Sequence, residues 1–229
     1  MKTFLSIIIL LSFVSTIQAA FITVSNNPTM DADYTSVQAA VNAASIGDSI
    51  YIHGSPAIYS GTVTVNQKLH FIGPGYYLDE NGIYLTDKSA ATVAIFKMDP
   101  GSENSTIEGL TISVAIRLYT DNIHIRKNRF TSTSSAAQSH PIVIYSSINS
   151  CYIYNNIFER LNLNNSIIKN FTSSTSISNI YIVNNIIEGS VDLFSSTSYI
   201  NILVLSNTFV YGQGTNKMGG AFCRNNIFA

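Results

Sequence analysis

Residues 150–158 read SCYIYNNIF and residues 179–187 read NIYIVNNII, and the register these two stretches share decides the fold. Three further copies extend the pattern: NIHIRKNRF at 122–130, NILVLSNTF at 201–209 and GAFCRNNIF at 220–228. A weaker copy, TIEGLTI, occupies 106–112. Within each copy apolar residues alternate with others, the period of a β-strand rather than of a helix. One inward column is expected to hold Ile123, Cys151, Ile180, Ile202 and Ala221. Ile125, Ile153, Ile182, Val204 and Cys223 make the next. A fixed asparagine follows in each copy (Asn128, Asn156, Asn185, Asn207, Asn226), then a large residue returning to the core (Phe130, Phe158, Ile187, Phe209, Phe228).

The steps between these asparagines are 28, 29, 22 and 19 residues. A coil of strands with loops of variable length produces such unequal steps, whereas stacked helical pairs keep a nearly constant period. Identical amides at one place in successive coils can hydrogen-bond up and down the stack as a ladder. Asparagine also tolerates the left-handed backbone that such a turn needs. Second strands are expected between copies at 140–145 (HPIVIY), 161–165 (LNLNN) and 190–194 (SVDLF). The expected class is therefore all-β, a right-handed parallel β-helix.

The N-terminal part fits that plan. Lys2, then an apolar run from Phe4 to Val14, then small residues to Ala19-Ala20, read as a secretory signal over 1–20. The apolar run is shorter than the roughly 20 residues that span a bilayer. The expected location is secreted or at the cell surface, with no membrane span after cleavage, and 21–229 as the β-helix domain. Thr35-Ser36-Val37-Gln38 has the capping-box pattern and opens a helix to about Ser45. Val37, Ala40, Val41 and Ala44 share one of its faces, suited to plugging the open end of a solenoid. SIYIHG, TVTVN and KLHFIG then read as strands.

The run DYTSVQAAVNAASIGDSIYIHGSPAIYSGTVTVNQKLHFIGPGYYLDEN, with the NIxIxxNxF copies, resembles secreted right-handed β-helix, pectin-lyase-like proteins of Bacteroidetes type. The resemblance covers most of the mature chain. It implies a fold whose members include polysaccharide lyases, glycoside hydrolases and adhesins, so activity must be argued from a site. The last copy stops at Phe228-Ala229 without a polar cap, which reads as truncation at the C-terminus or else as an exposed final coil.

Charged residues are 11% of the 229, and the formal net charge is −1. Such a balance gives no electrostatic footprint for nucleic acid. The acids are scattered, Asp31 and Asp33 are not followed by further calcium ligands, and no cofactor or metal motif is present. Cys151 and Cys223 fall about three coils apart, roughly 14 Å at the strand spacing, beyond the reach of a disulfide. Each is expected to act as a small buried hydrophobe. The four histidines read as surface or turn residues.

Two candidate sites remain. Glu159 and Glu188 each follow the core residue that closes their copy. One coil of separation would put them roughly 5 Å apart, near the carboxylate spacing of retaining glycosidases. The bland alternative is two solvated glutamates, one neutralised by Arg160. The other candidate is the outward column His124, Tyr152, Tyr181, Leu203 and Phe222, with Arg126, Tyr154, Val183, Leu205 and Arg224 beside it. Aromatic side chains stacked at coil spacing, with Arg126 and Arg224 assisting, suit a polysaccharide or cell-surface glycan. Three readings follow: a glycan-binding surface, a lyase or hydrolase acting on acidic polysaccharide, or a structural and adhesive module.

Overall fold

The computed structural model describes residues 19–76, 89–131, 140–159, 167–171, 176–188, 198–210 and 221–228. The expected signal segment and the strands expected at 161–165 and 190–194 lie outside these residues, apart from Ala19 and Ala20. The molecule is all-β, with long parallel sheets and one short helix. No described helix is long and apolar enough to cross a membrane.

The chain passes back and forth between two parallel sheets. The first sheet stacks β1 (Phe21–Val24), β2 (Ser49–Ile52), β4 (His70–Ile72), β6 (Thr106–Glu108) and β8 (Ile123–Arg126). It continues with β11 (Cys151–Tyr154), β14 (Ser176–Val183), β16 (Ser198–Leu205) and β18 (Phe222–Arg224). The second sheet begins with three long strands, β3 (Tyr59–Val65), β5 (Thr92–Met98) and β7 (Thr111–Leu118). The start of β7 then pairs with β9 (Arg129–Phe130), below β12 (Ile157–Phe158), β15 (Ile186–Glu188), β17 (Thr208–Val210) and β19 (Ile227–Phe228). Its end pairs with β10 (Ile142–Ile144), and β10 with β13 (Ile168–Asn170). One long strand thus gives way to two short ones once the chain between Phe130 and Ile142 lengthens.

The register is the one the repeat demands. Cys151 pairs with Ile123 on one side and Ile180 on the other, and Ile180 with Ile202. Ile153 sits between Ile125 and Ile182, and Val204 between Ile182 and Cys223. From Ile123 to Val204 both columns are buried and join one core with Phe130, Phe158, Ile187 and Phe209. A one-residue slip would turn all of them to solvent. Phe130 and Phe158 lie face to face at 4.5 Å, as do Phe209 and Phe228 at 4.9 Å.

At the turn between the sheets the asparagines form a ladder. Asn156 donates from its backbone N–H and its Nδ2 to Asn185 Oδ1, at 2.9 and 3.1 Å. Asn128 does the same to Asn156, Asn185 to Asn207, and Asn207 to Asn226. Each Nδ2 also reaches a strand carbonyl, as Asn156 does to Ile125 at 2.9 Å. Where the sequence led us to place the left-handed backbone on these asparagines, the structure puts it one residue earlier. Lys127, Asn155, Asn184, Ser206 and Asn225 have φ between 52° and 58°, and Gly109 takes the equivalent place with φ 70°.

The helix α1 (Val37–Ala43) buries Val37, Ala40 and Val41, as its amphipathic pattern requires. It is shorter than expected, and no capping box forms. Ser36 is the N-cap but makes no side-chain cap bond, and Gln38 turns away to the second sheet. There its Oε1 accepts from Thr64 N at 2.6 Å and its Nε2 donates to Thr64 O at 3.2 Å. Gln38 therefore ties the helix to β3 rather than closing its first turn.

Candidate functional site

Strand alternation sends every second side chain of the first sheet outward, and parallel pairing aligns them. His124 pairs in register with Tyr152, Tyr152 with Tyr181, Tyr181 with Leu203, and Leu203 with Phe222. Below His124 the column continues through Thr106, His70 and Ser49. The column beside it runs Glu108, Arg126, Tyr154, Val183, Leu205 and Arg224. All the outward residues expected from the sequence are thus brought onto one face in the expected order.

The geometry changes what the aromatic row can offer. The His124 and Tyr152 rings are parallel within 5° with centroids 4.5 Å apart, and Tyr152 and Tyr181 within 3° at 4.9 Å. Both faces of the Tyr152 ring are therefore covered by its neighbours. Such a row cannot stack a sugar on each ring face. It presents ring edges and phenolic oxygens instead. Among the described residues, neither the Tyr152 nor the Tyr181 hydroxyl has a hydrogen-bond partner. Leu203 separates this row from Phe222, which is 57% exposed.

Arg126 is held in place. Its Nε lies 2.7 Å from Glu108 Oε2, an ionic contact, and its Nη1 donates to Tyr154 Oη at 3.3 Å. The charge of Arg126 is thereby balanced within the face, while exposed Arg224 forms no ion pair among the described residues. Burial is the main cause that lowers the pKa of His124, with Arg126 and His70 adding to it. For His70, burial again comes first, then Lys68 and Arg126, with Glu108 opposing. Both imidazoles are accordingly neutral at pH 7, and the face between His70 and Tyr181 carries little net charge.

No protein-family model, curated protein or solved structure matches this chain. The site must therefore be judged on its own chemistry.

The two glutamates do fall at equivalent places one level apart, since Phe158 pairs with Ile187 immediately before them. Glu159 is engaged by Arg129; Arg160, the partner expected from the sequence, lies outside the described residues. Arg129 Nε donates to Glu159 Oε2 at 2.9 Å, and its Nη2 lies 2.7 Å from the same oxygen. A guanidinium so placed favours the carboxylate anion, which is compatible with the nucleophile of a retaining glycosidase pair but not with its proton donor. The sequence hid this partner because Arg129 sits a whole copy earlier in the chain.

Two other expectations need correction. His140 is buried, not a surface turn residue. Cys223 is exposed and not a core hydrophobe, because β18 lies at the edge of its sheet. Cys151 is buried as expected, and that burial pushes its thiol up to about 12; the two cysteines are not joined by a disulfide. Among the described residues no group of three His, Cys, Asp or Glu side chains could hold a metal ion.

Proposed function

We propose that this chain is an exported right-handed parallel β-helix that binds a linear polysaccharide along the outward face of its first sheet, without cleaving it. The observation that carries this reading is the row His124–Tyr152–Tyr181. It sets two unpartnered phenolic hydroxyls one strand spacing apart on a half-exposed face. An extended glycan also repeats its hydroxyls at about one strand spacing per sugar, so one polymer can meet successive levels in the same way. Ring edges supply apolar contact to sugar C–H groups, and the fixed stack loses little side-chain entropy on binding. The alternating passes between parallel sheets, the buried asparagine ladder and the capping helix favour the β-helix architecture. The signal-like segment at 1–20 favours export.

Affinity electrophoresis through gels containing neutral or acidic polysaccharides tests the function. Retardation by a polymer, lost in Tyr152→Ala/Tyr181→Ala, is the expected result. Migration unchanged by every polymer would overturn the binding reading and leave a structural module.

A further inference from the structure

The second sheet carries another ordered face, built from residues that lie between the sequence copies. Lys97 pairs in register with Arg117, Arg117 with Val143, and Val143 with Lys169. Two residues further along these strands, Tyr119 and Tyr145 stack at 4.8 Å and 3°, and Phe171 packs on Tyr145 at 5.1 Å. Lys97 Nζ lies 5.0 Å over the Tyr119 ring and 2.7 Å from Asp99 Oδ2. The charge of Lys97 is therefore met within the protein. Among the described residues, Arg117 and Lys169, both half-buried, form no ion pair or hydrogen bond from their side chains. Asp99, already paired, is the acid in these two columns.

Two unbalanced cations thus stand two levels apart, with buried Val143 between them. At the parallel-strand spacing that separation is roughly 9.6 Å. A sugar in an extended glycan advances by about one level, so the cations match acidic groups on alternate sugars rather than on every sugar. Arginine's fork suits a carboxylate or sulfate, and lysine supplies a point charge beside it. The aromatic row alongside, ending in Phe171 at 43% exposure, gives apolar contact to the sugars between.

We infer that this face is a second binding site, separate from the tyrosine row, for a linear anionic glycan bearing one acidic group per disaccharide. The site stands whether or not the first sheet binds a polymer. Titration calorimetry of the full chain would use three probes: hyaluronan oligosaccharides with one carboxylate per disaccharide, polygalacturonate oligosaccharides with one per sugar, and neutral cello-oligosaccharides. Hyaluronan is expected to bind most tightly of the three at this site. Arg117→Gln and Lys169→Gln should each raise its Kd by about fivefold, the scale of an exposed ion pair. Added salt should weaken it further. Asp99→Asn, which frees Lys97 beside Arg117, should raise affinity for polygalacturonate. Hyaluronan binding that survives Arg117→Gln and Lys169→Gln, with the fold intact by circular dichroism, would overturn the site. Polygalacturonate binding as tightly as hyaluronan to the unmodified chain would overturn the alternate-sugar spacing.

Discussion

Asn156 and Asn185, 29 residues apart, share one hydrogen-bonding oxygen: Asn185 Oδ1 accepts both the backbone N–H and the side-chain Nδ2 of Asn156. Both residues are buried, and the same relation recurs above and below them. The ladder satisfies backbone groups that the turn would otherwise bury without partners. Asn185→Ala removes the acceptor for Asn156 N–H and the donor to Ile153 O and Val183 O. Each stranded buried group costs about 1–3 kcal/mol, so the variant should lose roughly 3 kcal/mol or more in urea unfolding. A loss below about 1 kcal/mol would show that water replaces the amide.

The neighbouring left-handed residue should behave differently. Asn155, with φ 58°, holds a backbone conformation that costs a residue with a Cβ about 1–2 kcal/mol, less for asparagine. Asn155→Val should therefore destabilise by about that amount and Asn155→Gly by only a few tenths. Equal losses in both variants would mean that the Asn155 side chain, which accepts from Asn184 Nδ2 at 2.8 Å, matters more than its backbone.

Acid should weaken the fold through the histidines of the first-sheet face. His70 and His124 are held below their ordinary value of 6.5 in the folded chain. The unfolded chain therefore takes up their protons first as pH falls, and stability drops below about 6.5 until the folded pKa values are passed. His124→Gln should flatten the fall of Tm between about pH 6.5 and 5. An unchanged slope in that window would assign the acid sensitivity to other groups.

The two thiols should separate in reactivity. Exposed Cys223 is expected to react with a thiol reagent in the native chain. Cys151, buried with its thiol pushed up to about 12, should react only as the chain unfolds. One thiol titrated natively and two in denaturant is the predicted count; two in the native chain would place Cys151 outside the core.

Strand register, the inward columns and the place of the asparagine ladder were legible in the sequence because each recurs at a fixed offset inside the copies. Ile153 and Asn156 keep their spacing whatever the loops do. A second turn was harder to read. Asn104 and Asn122 are left-handed just before their first-sheet strands, Asn179 and Asn201 are left-handed within β14 and β16, and Asn201 Nδ2 donates to Asn179 Oδ1 at 2.6 Å. Ser150 and Gly220 break that column in the sequence, so it carries no constant letter. The row Tyr119–Tyr145–Phe171 was missed for a related reason. Its members lie between copies, and only the pairing of β7, β10 and β13 across loops of different length aligns them. Outward positions also gave no warning that the Tyr152 ring spends both faces on its neighbours. A strand pattern says which way a side chain leaves the sheet, not which way its ring turns.

The most direct measurement is titration calorimetry of Tyr152→Phe/Tyr181→Phe, made in a chain already carrying Arg117→Gln and Lys169→Gln, against whichever polysaccharide retards that parent chain. Phenylalanine keeps the stacked rings and removes only the two unpartnered hydroxyls, so the melting temperature should hold. The account predicts that binding is lost while the fold persists. Full affinity in the double variant would contradict it, because the hydroxyl row would then have no part in recognition.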